Sequence, residues 1–291
     1  MSPPTIPLLL LILLIVDSLH FVFAGLLKTY LPPAVAAMYV LGIATLEVGL
    51  YLSWQRRIRI SVFQAHWLFF LMIGFLVAGS TAINYAAVAF IDPGTASLLG
   101  KAGIIFSLAL SLFWLREKLT AQDGVGSLIT LVGVGLISFQ PGDYWQLGSL
   151  LVLASTLMYA LHAAIIKRYG GQMEFGSFFF FRVACTTGFL MLFVVGRGEF
   201  RWPPAQAWPV LILAGTIDVV ISRVLYYWTL RRLQMNYHTI LLALSPVMTI
   251  LLSFLLFGSQ PTWQGWLGGG IALAGVLLVT AGQQRKVPTQ D

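Results

Sequence analysis

Six charged side chains fall inside hydrophobic stretches of this sequence, where a charge is costly and therefore informative. These six are Asp17, Glu47, Lys101, Arg182, Asp218 and Arg223. Each costs about 2.5–3.5 kcal/mol to place at the centre of a bilayer, so residues of this kind mark substrate or ion pathways. Three acids and three bases also balance, as expected if they pair to hold helices in register. Substrate binding and structural pairing both stay open at this point.

Asp17 and His20 lie three residues apart near the middle of the first hydrophobic stretch, so they share one helix face. A carboxylate beside an imidazole can pass a proton, which makes this pair a candidate proton-coupling element. The alternative for His20 is a buried imidazole that is hydrogen-bonded to a neighbouring helix.

The three bases are candidate ligands for an anionic or zwitterionic substrate. Arg182 and Arg223 offer a planar guanidinium that matches a carboxylate, and Lys101 is flanked by glycines that allow close approach. Arg182 lies near the end of its stretch, so its side chain could instead extend to the membrane surface. Asp218 and Arg223 are five residues apart, or about 140° around an α-helix, and are not expected to pair.

Tyrosines near these charges are candidate neutral contacts to a substrate. Tyr226, Tyr227 and Trp228 follow Arg223 in its stretch, Tyr85 lies in the third stretch, and Tyr159 lies in the middle of the sixth. Aromatic rings beside carboxylates can accept a cation or a flat ring. No HExxH, GxSxG or GxxxxGK[ST] motif occurs, and Cys185 is the single cysteine. We therefore predict no catalytic residue, no metal site and no cofactor.

The elements that carry these residues are membrane-spanning helices. Hydrophobic residues make up 58% of the chain and charged residues 9%, against about 25% charged in soluble domains. Stretches long enough to cross ~30 Å recur along the whole sequence. They lie at about 7–27, 33–53, 67–90, 95–115, 121–140, 147–167, 176–196, 208–230, 237–257 and 263–282. The sequence thus predicts an all-α membrane protein with ten transmembrane helices.

The distribution of basic residues predicts the orientation. With the N-terminus inside, the inner loops and tail hold Arg56, Arg57, Arg59, Arg116, Lys118, Lys167, Arg168, Arg231, Arg232, Arg285 and Lys286, and the outer loops hold Lys28, Arg197 and Arg201. Because cytoplasmic loops are enriched in Lys and Arg, both termini are predicted to be cytoplasmic. The excess of basic residues in the inner loops accounts for the net charge of +7, so no nucleic-acid partner is expected. The predicted location is a bacterial inner membrane.

The second half of the chain repeats the first at a shift of 142 residues without a gap. Ser80 aligns with Ser222 and Tyr85 with Tyr227, and Tyr159 aligns with Asp17. We assign residues 1–142 and 143–291 to two five-helix repeats. Since five is odd, the second copy must enter the membrane from the opposite side, an inverted repeat that is common in transporters. Channels and non-transporting scaffolds are the alternative products of such a duplication.

The residues around the repeat carry a family resemblance. The segment from Leu115 to Gly124, followed by Leu131-Val-Gly-Val-Gly135, resembles the EamA family of the drug/metabolite transporter superfamily, as does its partner segment, Thr262-Trp-Gln-Gly265 followed by Leu273-Ala-Gly-Val276. Arg182 and Pro246 also lie where such repeats carry these residue types. The resemblance implies export or import of amino acids, amines, metallophores or other metabolites without ATP.

Together these observations predict a secondary transporter, more specifically an exporter, that works by alternating access. The expected substrate is a small zwitterionic or anionic metabolite, such as an amino acid or a compound derived from one, including a metallophore. Protons are the candidate coupling ion, and a monomer and a dimer are both compatible with the sequence. The alternatives are an importer of an amine or other metabolite, a non-transporting membrane partner and a lipid translocator.

Overall fold

The computed structural model describes residues 5–87, 99–138, 147–245, 247–248 and 263–284, and these residues form helices and turns without a β-strand. The helices are α1 (Thr5–Leu27), α2 (Pro33–Trp54), α3 (Ile60–Ala87), α4 (Gly103–Ala109, continued by a π-helix at Leu110–Trp114), α5 (Ala121–Ser138), α6 (Leu147–Tyr169), α7 (Phe175–Gly196), α8 (Trp208–Ala214, π-helix Gly215–Ile221, then Ser222–Arg232), α9 (Met235–Leu242) and α10 (Trp263–Gln284).

Six of these helices, α2, α3, α6, α7, α8 and α10, are long and apolar enough to cross a membrane. Two shorter apolar helices lie at Gly103–Trp114 and Ala121–Leu136. The chain is therefore an all-helical, multi-pass membrane protein. Parts of the predicted third, fourth, fifth and ninth spans, together with Pro246, lie outside the described residues.

Local sequence explains where several of these helices begin and bend. Pro33 opens α2, where its missing N–H has no intrahelical partner to lose. Glu174 caps α7 by accepting hydrogen bonds from the backbone N–H groups of Gly176 and Ser177, at 2.8 and 2.7 Å. His66 has non-helical backbone angles, φ −132° and ψ 28°, so α3 bends one residue before the predicted start of its span.

The chain forms two compact units, and each takes helices from both halves of the sequence. The first unit consists of Met1–Ala86 and Ile165–Arg231 and holds α1, α2, α3, α7 and nearly all of α8. The second consists of Ala87–Ala164 and Arg232–Asp291 and holds α4, α5, most of α6, α9 and α10. Each unit buries its own set of helix contacts.

In the first unit, α2 packs antiparallel to α7, the helix that lies 142 residues later. The bounds of the two helices differ by this shift at both ends. The hydroxyls of Thr45 and Thr187, which are equivalent positions of the two repeats, are hydrogen-bonded to each other at 3.0 Å. Contact between equivalent residues is the pattern expected when a local two-fold axis passes between two helices.

In the second unit, α5 and α10 show the same relation. Gly126 approaches the backbone carbonyl of Gly275, and Gly133 approaches that of Gly268 so closely that a Cβ at either glycine would overlap it. Each contact is the repeat equivalent of the other, because 126 corresponds to 268 and 133 to 275. Small residues thus let the two helices pack backbone to backbone in an antiparallel, reciprocal arrangement.

The two ends of the first unit differ in composition. At one end, Ser177 accepts a hydrogen bond from the Arg59 N–H and donates one to the Arg57 carbonyl, both at 3.2 Å. At the same end, Arg231 donates to the Met173 carbonyl at 3.2 Å and Lys167 donates to the Arg231 carbonyl at 3.4 Å. The other end carries an aromatic cluster of Tyr39, Phe200, Trp202 and Trp208. Basic residues from three separate parts of the chain therefore gather at one end.

Candidate functional site

The first unit brings three of the sequence-predicted charged residues together in its interior. The Arg223 Nη1 atom of α8 lies 3.2 Å from the Asp17 Oδ1 atom of α1, and its Nη2 atom lies 4.0 Å from Asp218 Oδ1. The side chains of Arg223, Asp17 and Asp218 are 18%, 20% and 8% exposed, respectively. One guanidinium thus holds two carboxylates, an arrangement that we call the Asp17–Arg223–Asp218 triad. Asp17 was predicted to pair with His20, but the side chain of His20 lies outside the described residues.

The pairing of Asp218 with Arg223 corrects the prediction that these two residues cannot meet. That prediction assumed an α-helix, in which residues five apart are about 140° apart around the axis. Asp218 instead lies in the π-helical segment Gly215–Ile221, and the i→i+5 repeat of a π-helix brings residues five apart onto one face. The wider turn therefore places the Asp218 carboxylate within reach of Arg223, which also contacts Asp17 of α1.

Glu47 connects α2 to the same π-helical segment. Its Oε1 atom accepts a hydrogen bond of 2.8 Å from the Thr216 hydroxyl, which also donates to the Ile212 carbonyl. Gly215 allows this approach, because a Cβ at that position would lie 2.9 Å from the Ile43 side chain of α2. Glu47 is thus hydrogen-bonded to α8 at Thr216, two residues before Asp218.

Arg182 of α7 is buried, with 3% of its surface exposed. Its guanidinium carbon lies 4.8 Å from the centre of the Tyr227 ring, which is itself fully buried. The side chain therefore points into the unit, and the alternative in which it extends to the membrane surface does not apply. A cation over an aromatic face is a favourable contact that strengthens as water is excluded.

The rings beside these arginines form a continuous array. Tyr226 lies under Arg223 at 5.8 Å and contacts Tyr227 edge-on, with ring centres 4.9 Å apart. Tyr227 in turn contacts the Phe178 ring edge-on at 5.7 Å. Arg231 lies 3.9 Å over Phe178 at the basic end of the unit. The sequence predicted that these rings could accept a cation from a substrate. In the structure, arginines of the protein itself lie over them.

Two other predicted residues, Lys101 and Tyr159, lie in the second unit. Lys101 is half-buried in the turn before the α-helical part of α4, and its carbonyl accepts from the Ile104 N–H at 3.1 Å. The Tyr159 carbonyl is hydrogen-bonded to the ring nitrogen Nδ1 of His162 at 3.1 Å, and the two rings lie 5.0 Å apart. The side chain of Tyr85 lies outside the described residues.

Sequence reasoning missed Thr216 and Arg231 as contributors to this region. Tyr226 was identified because it follows Arg223 by three residues and so shares its helix face. No sequence signal identifies Thr216, since its partner Glu47 is separated by 169 residues. Among the described residues, no group of three or more His, Cys, Asp or Glu side chains could hold a metal ion. The arrangement of these residues can bind charged and polar groups.

Comparison with known proteins agrees with this architecture. The sequence model of the EamA-like transporter family matches residues 5–139 and again residues 146–281. A solved crystal structure of another protein superimposes with a TM-score of 0.83 over 97% of this chain and 99% of that one, at 17% sequence identity. At that identity the similarity establishes the fold, in which both halves of the chain take part.

Curated relatives carry transporter names. One is YdfC of Bacillus subtilis, named an uncharacterized transporter, which is 28% identical over 64% of this chain and 62% of its own length. Another is named a probable terminal-alkyne amino-acid exporter of Streptantibioticus cattleyicolor and is 26% identical over 68% of this chain and 69% of its own. The match spans less than two thirds of the first relative. With the family model matched twice along its length, this chain belongs to the EamA-like transporter family and is a multi-pass membrane protein.

Proposed function

We propose that this protein is a secondary transporter that exports a small zwitterionic or anionic metabolite, such as an amino acid or a compound derived from one. The observation that carries the proposal is the Asp17–Arg223–Asp218 triad, a set of charges held inside helices that lipid surrounds. Charges at membrane depth are expensive and are retained where a polar solute or ion must cross. The name of the Streptantibioticus cattleyicolor relative, an amino-acid exporter, supports both the substrate class and the direction.

Alternating access of two inverted repeats is the proposed mechanism. The antiparallel packing of α2 on α7 and of α5 on α10 supports it, because helices of related sequence that run in opposite senses can exchange roles between two states. In this proposal the chain spans the membrane ten times. Substrate contacts come from Glu47, Lys101, Arg182, Asp218 and Arg223, with Tyr85, Tyr159 and Tyr227 as neutral partners. Asp17 and His20 couple transport to protons.

The proposed location is a bacterial inner membrane with both termini in the cytoplasm. The basic end of the first unit supports this orientation, since Arg57, Arg59, Lys167 and Arg231 meet there from three separate parts of the chain. Cytoplasmic surfaces of membrane proteins carry this excess of positive charge. The aromatic cluster around Tyr39 would then lie at the outer interface, where Trp and Tyr are enriched.

Counterflow in proteoliposomes tests the transport proposal. Purified protein is reconstituted into liposomes that are loaded with an unlabelled solute, and uptake of the same labelled solute is followed for amino acids, amines and other small metabolites. Transient accumulation of an amino acid supports the proposal. Chemical modification of the solute would instead indicate an enzyme, and retention of every solute tested outside the liposomes would count against transport of this class.

Lys101→Ala tests whether Lys101 binds the substrate. If Lys101 binds substrate, counterflow of the transported solute is lost in this variant. Lys28→Ala is the matched control, because Lys28 is an exposed lysine in a turn after α1 and its removal should leave the flux unchanged. Equal flux in both variants would remove Lys101 from the site and leave the transport proposal in place.

A further inference from the structure

Arg182 is buried in the first unit and, unlike the half-buried Arg223, forms no ion pair with a carboxylate among the described residues. Its Nε and Nη1 atoms are buried and have no hydrogen-bond partner among the described residues. The contact recorded for its guanidinium is the Tyr227 ring, which faces the positive charge but accepts none of its N–H groups in an ordinary hydrogen bond. A buried cation with unmet donors is costly to the protein alone, so its retention calls for a partner.

The acids of this unit that lie within the helices already have partners. Asp17 and Asp218 lie against Arg223, and Glu47 accepts from Thr216. The outlying acids are also engaged: Glu174 caps α7, and Glu199 pairs with Arg197 at 2.7 Å. The counter-charge for Arg182 must therefore come from outside this set.

We infer that Arg182 binds the carboxylate of a zwitterionic substrate, with the Tyr227 ring fixing the guanidinium beneath it. This inference rests on the transport function proposed above and names the group of the substrate that this residue recognises. Guanidinium–carboxylate hydrogen bonds are charge-assisted and directional, so they supply the missing acceptors for the buried N–H groups.

Charge balance favours a zwitterion over a multiply charged anion. Apart from histidines and from Lys167, Arg168 and Arg231 in the last turns of α6 and α8, the charged side chains within the helices of the first unit are Asp17, Glu47 and Asp218 against Arg182 and Arg223, an excess of acids away from the basic end. A phosphate dianion would add to this excess. A zwitterion adds no net charge, since its own two charges cancel. Its carboxylate can pair with Arg182, and its ammonium group can lie beside the acids.

The experiment compares solutes that differ only in the carboxylate. Wild-type protein and Arg182→Met are tested against a panel in which each amino acid accompanies its amide and its decarboxylated amine. The readouts are the shift of the melting temperature on adding each solute and counterflow in liposomes. The wild type should respond to the acid at concentrations about ten- to a hundredfold lower than to the amide or amine, the range of a charge-assisted hydrogen bond. Arg182→Met should lose that preference.

A measurement without ligand separates this role from a structural one. If Arg182 serves a substrate, replacing it by the unbranched, apolar Met removes an unsatisfied charge, and the melting temperature of the ligand-free protein should stay the same or rise. A structural role predicts a fall of several degrees. Arg197→Met is the matched control, since Arg197 lies at the exposed end of the same helix and its loss should alter neither readout.

The outcomes distinguish this inference from the transport proposal. Counterflow of a solute that has no carboxylate, or an Arg182→Met variant that keeps the preference for the acid, overturns the inference and leaves transport standing. Absence of counterflow for every solute counts against the transport proposal, and the ligand-free melting temperature then decides the role of Arg182 by itself. A lowered melting temperature in Arg182→Met would refute it.

Discussion

Replacing Arg223 tests the central charge arrangement most directly. Arg223→Gln keeps a long polar side chain but removes the positive charge that lies 3.2 Å from Asp17 and 4.0 Å from Asp218. At an effective dielectric constant of about 20, two unit charges 4 Å apart attract by about 4 kcal/mol. The variant loses two such attractions and leaves two carboxylates facing each other.

The expected cost follows from the burial of these groups. Their exposed fractions of 8–20% mean that water screens them only partly. Removing one partner of a buried ion pair costs about 3–5 kcal/mol, because the remaining charge is uncompensated. We expect Arg223→Gln to lower the free energy of unfolding by about 3 kcal/mol, and the double variant Asp17→Asn/Arg223→Gln to recover about 1–3 kcal/mol of that loss.

Unfolding in mixed micelles with a rising fraction of dodecyl sulfate, followed by circular dichroism, measures these free energies. The full cycle requires the wild type, both single variants and the double variant. Arg197→Gln is a control at an exposed ion pair and should change stability by less than about 1 kcal/mol. Additivity of the two single changes to within about 0.5 kcal/mol would refute the ion pair between α1 and α8.

Three further predictions concern the supporting structure. Gly133→Leu should destabilise the protein by at least about 1–3 kcal/mol, because its side chain would overlap the α10 backbone at Ala272, whereas Gly270→Ala, with open space around it, should be tolerated in the same unfolding assay. Partial burial opposes ionisation of Glu174, but hydrogen bonds from Ser177 and Gly176 outweigh it and lower its pKa below the ordinary 4.5. The stability that Glu174 contributes is therefore complete above about pH 4.5 and is lost as the pH falls through the lower folded-state pKa. Melting curves of wild type and Glu174→Gln should differ at pH 7 and converge in acid. In a Cys185→Ser background, a membrane-impermeant maleimide added to intact cells should label Arg201→Cys and spare Arg56→Cys, and the reverse pattern would invert the proposed topology.

The positions of the helices were predictable because hydropathy is a local property. The predicted spans at 33–53, 147–167 and 176–196 agree with α2, α6 and α7 to within one or two residues. Transfer of each segment into lipid is decided by its own side chains, whatever the other segments do. The repeat was equally accessible, since the shift that aligns the two sequences also relates the bounds of α2 and α7.

The partners of the charged residues were not predictable, because they depend on contacts between distant segments. Asp17 meets Arg223 across more than two hundred residues, and Glu47 meets Thr216 across 169. Composition revealed that buried charges exist, but a balanced set of acids and bases permits many pairings. Packing of α1, α2 and α8 against one another selects among them.

The sequence by itself determined that lipid is the solvent of this chain, where its helices lie and which side chains are costly there. Tertiary structure alone decided that α8 takes a π-helical turn at Gly215–Ile221, which brings Asp218 and Arg223 onto one face. It also decided that Arg182 turns inward onto Tyr227. The physical reason is that transfer free energies sum along the chain, whereas the register of a helix turn and the partner of a charge are fixed by neighbours that only folding brings close.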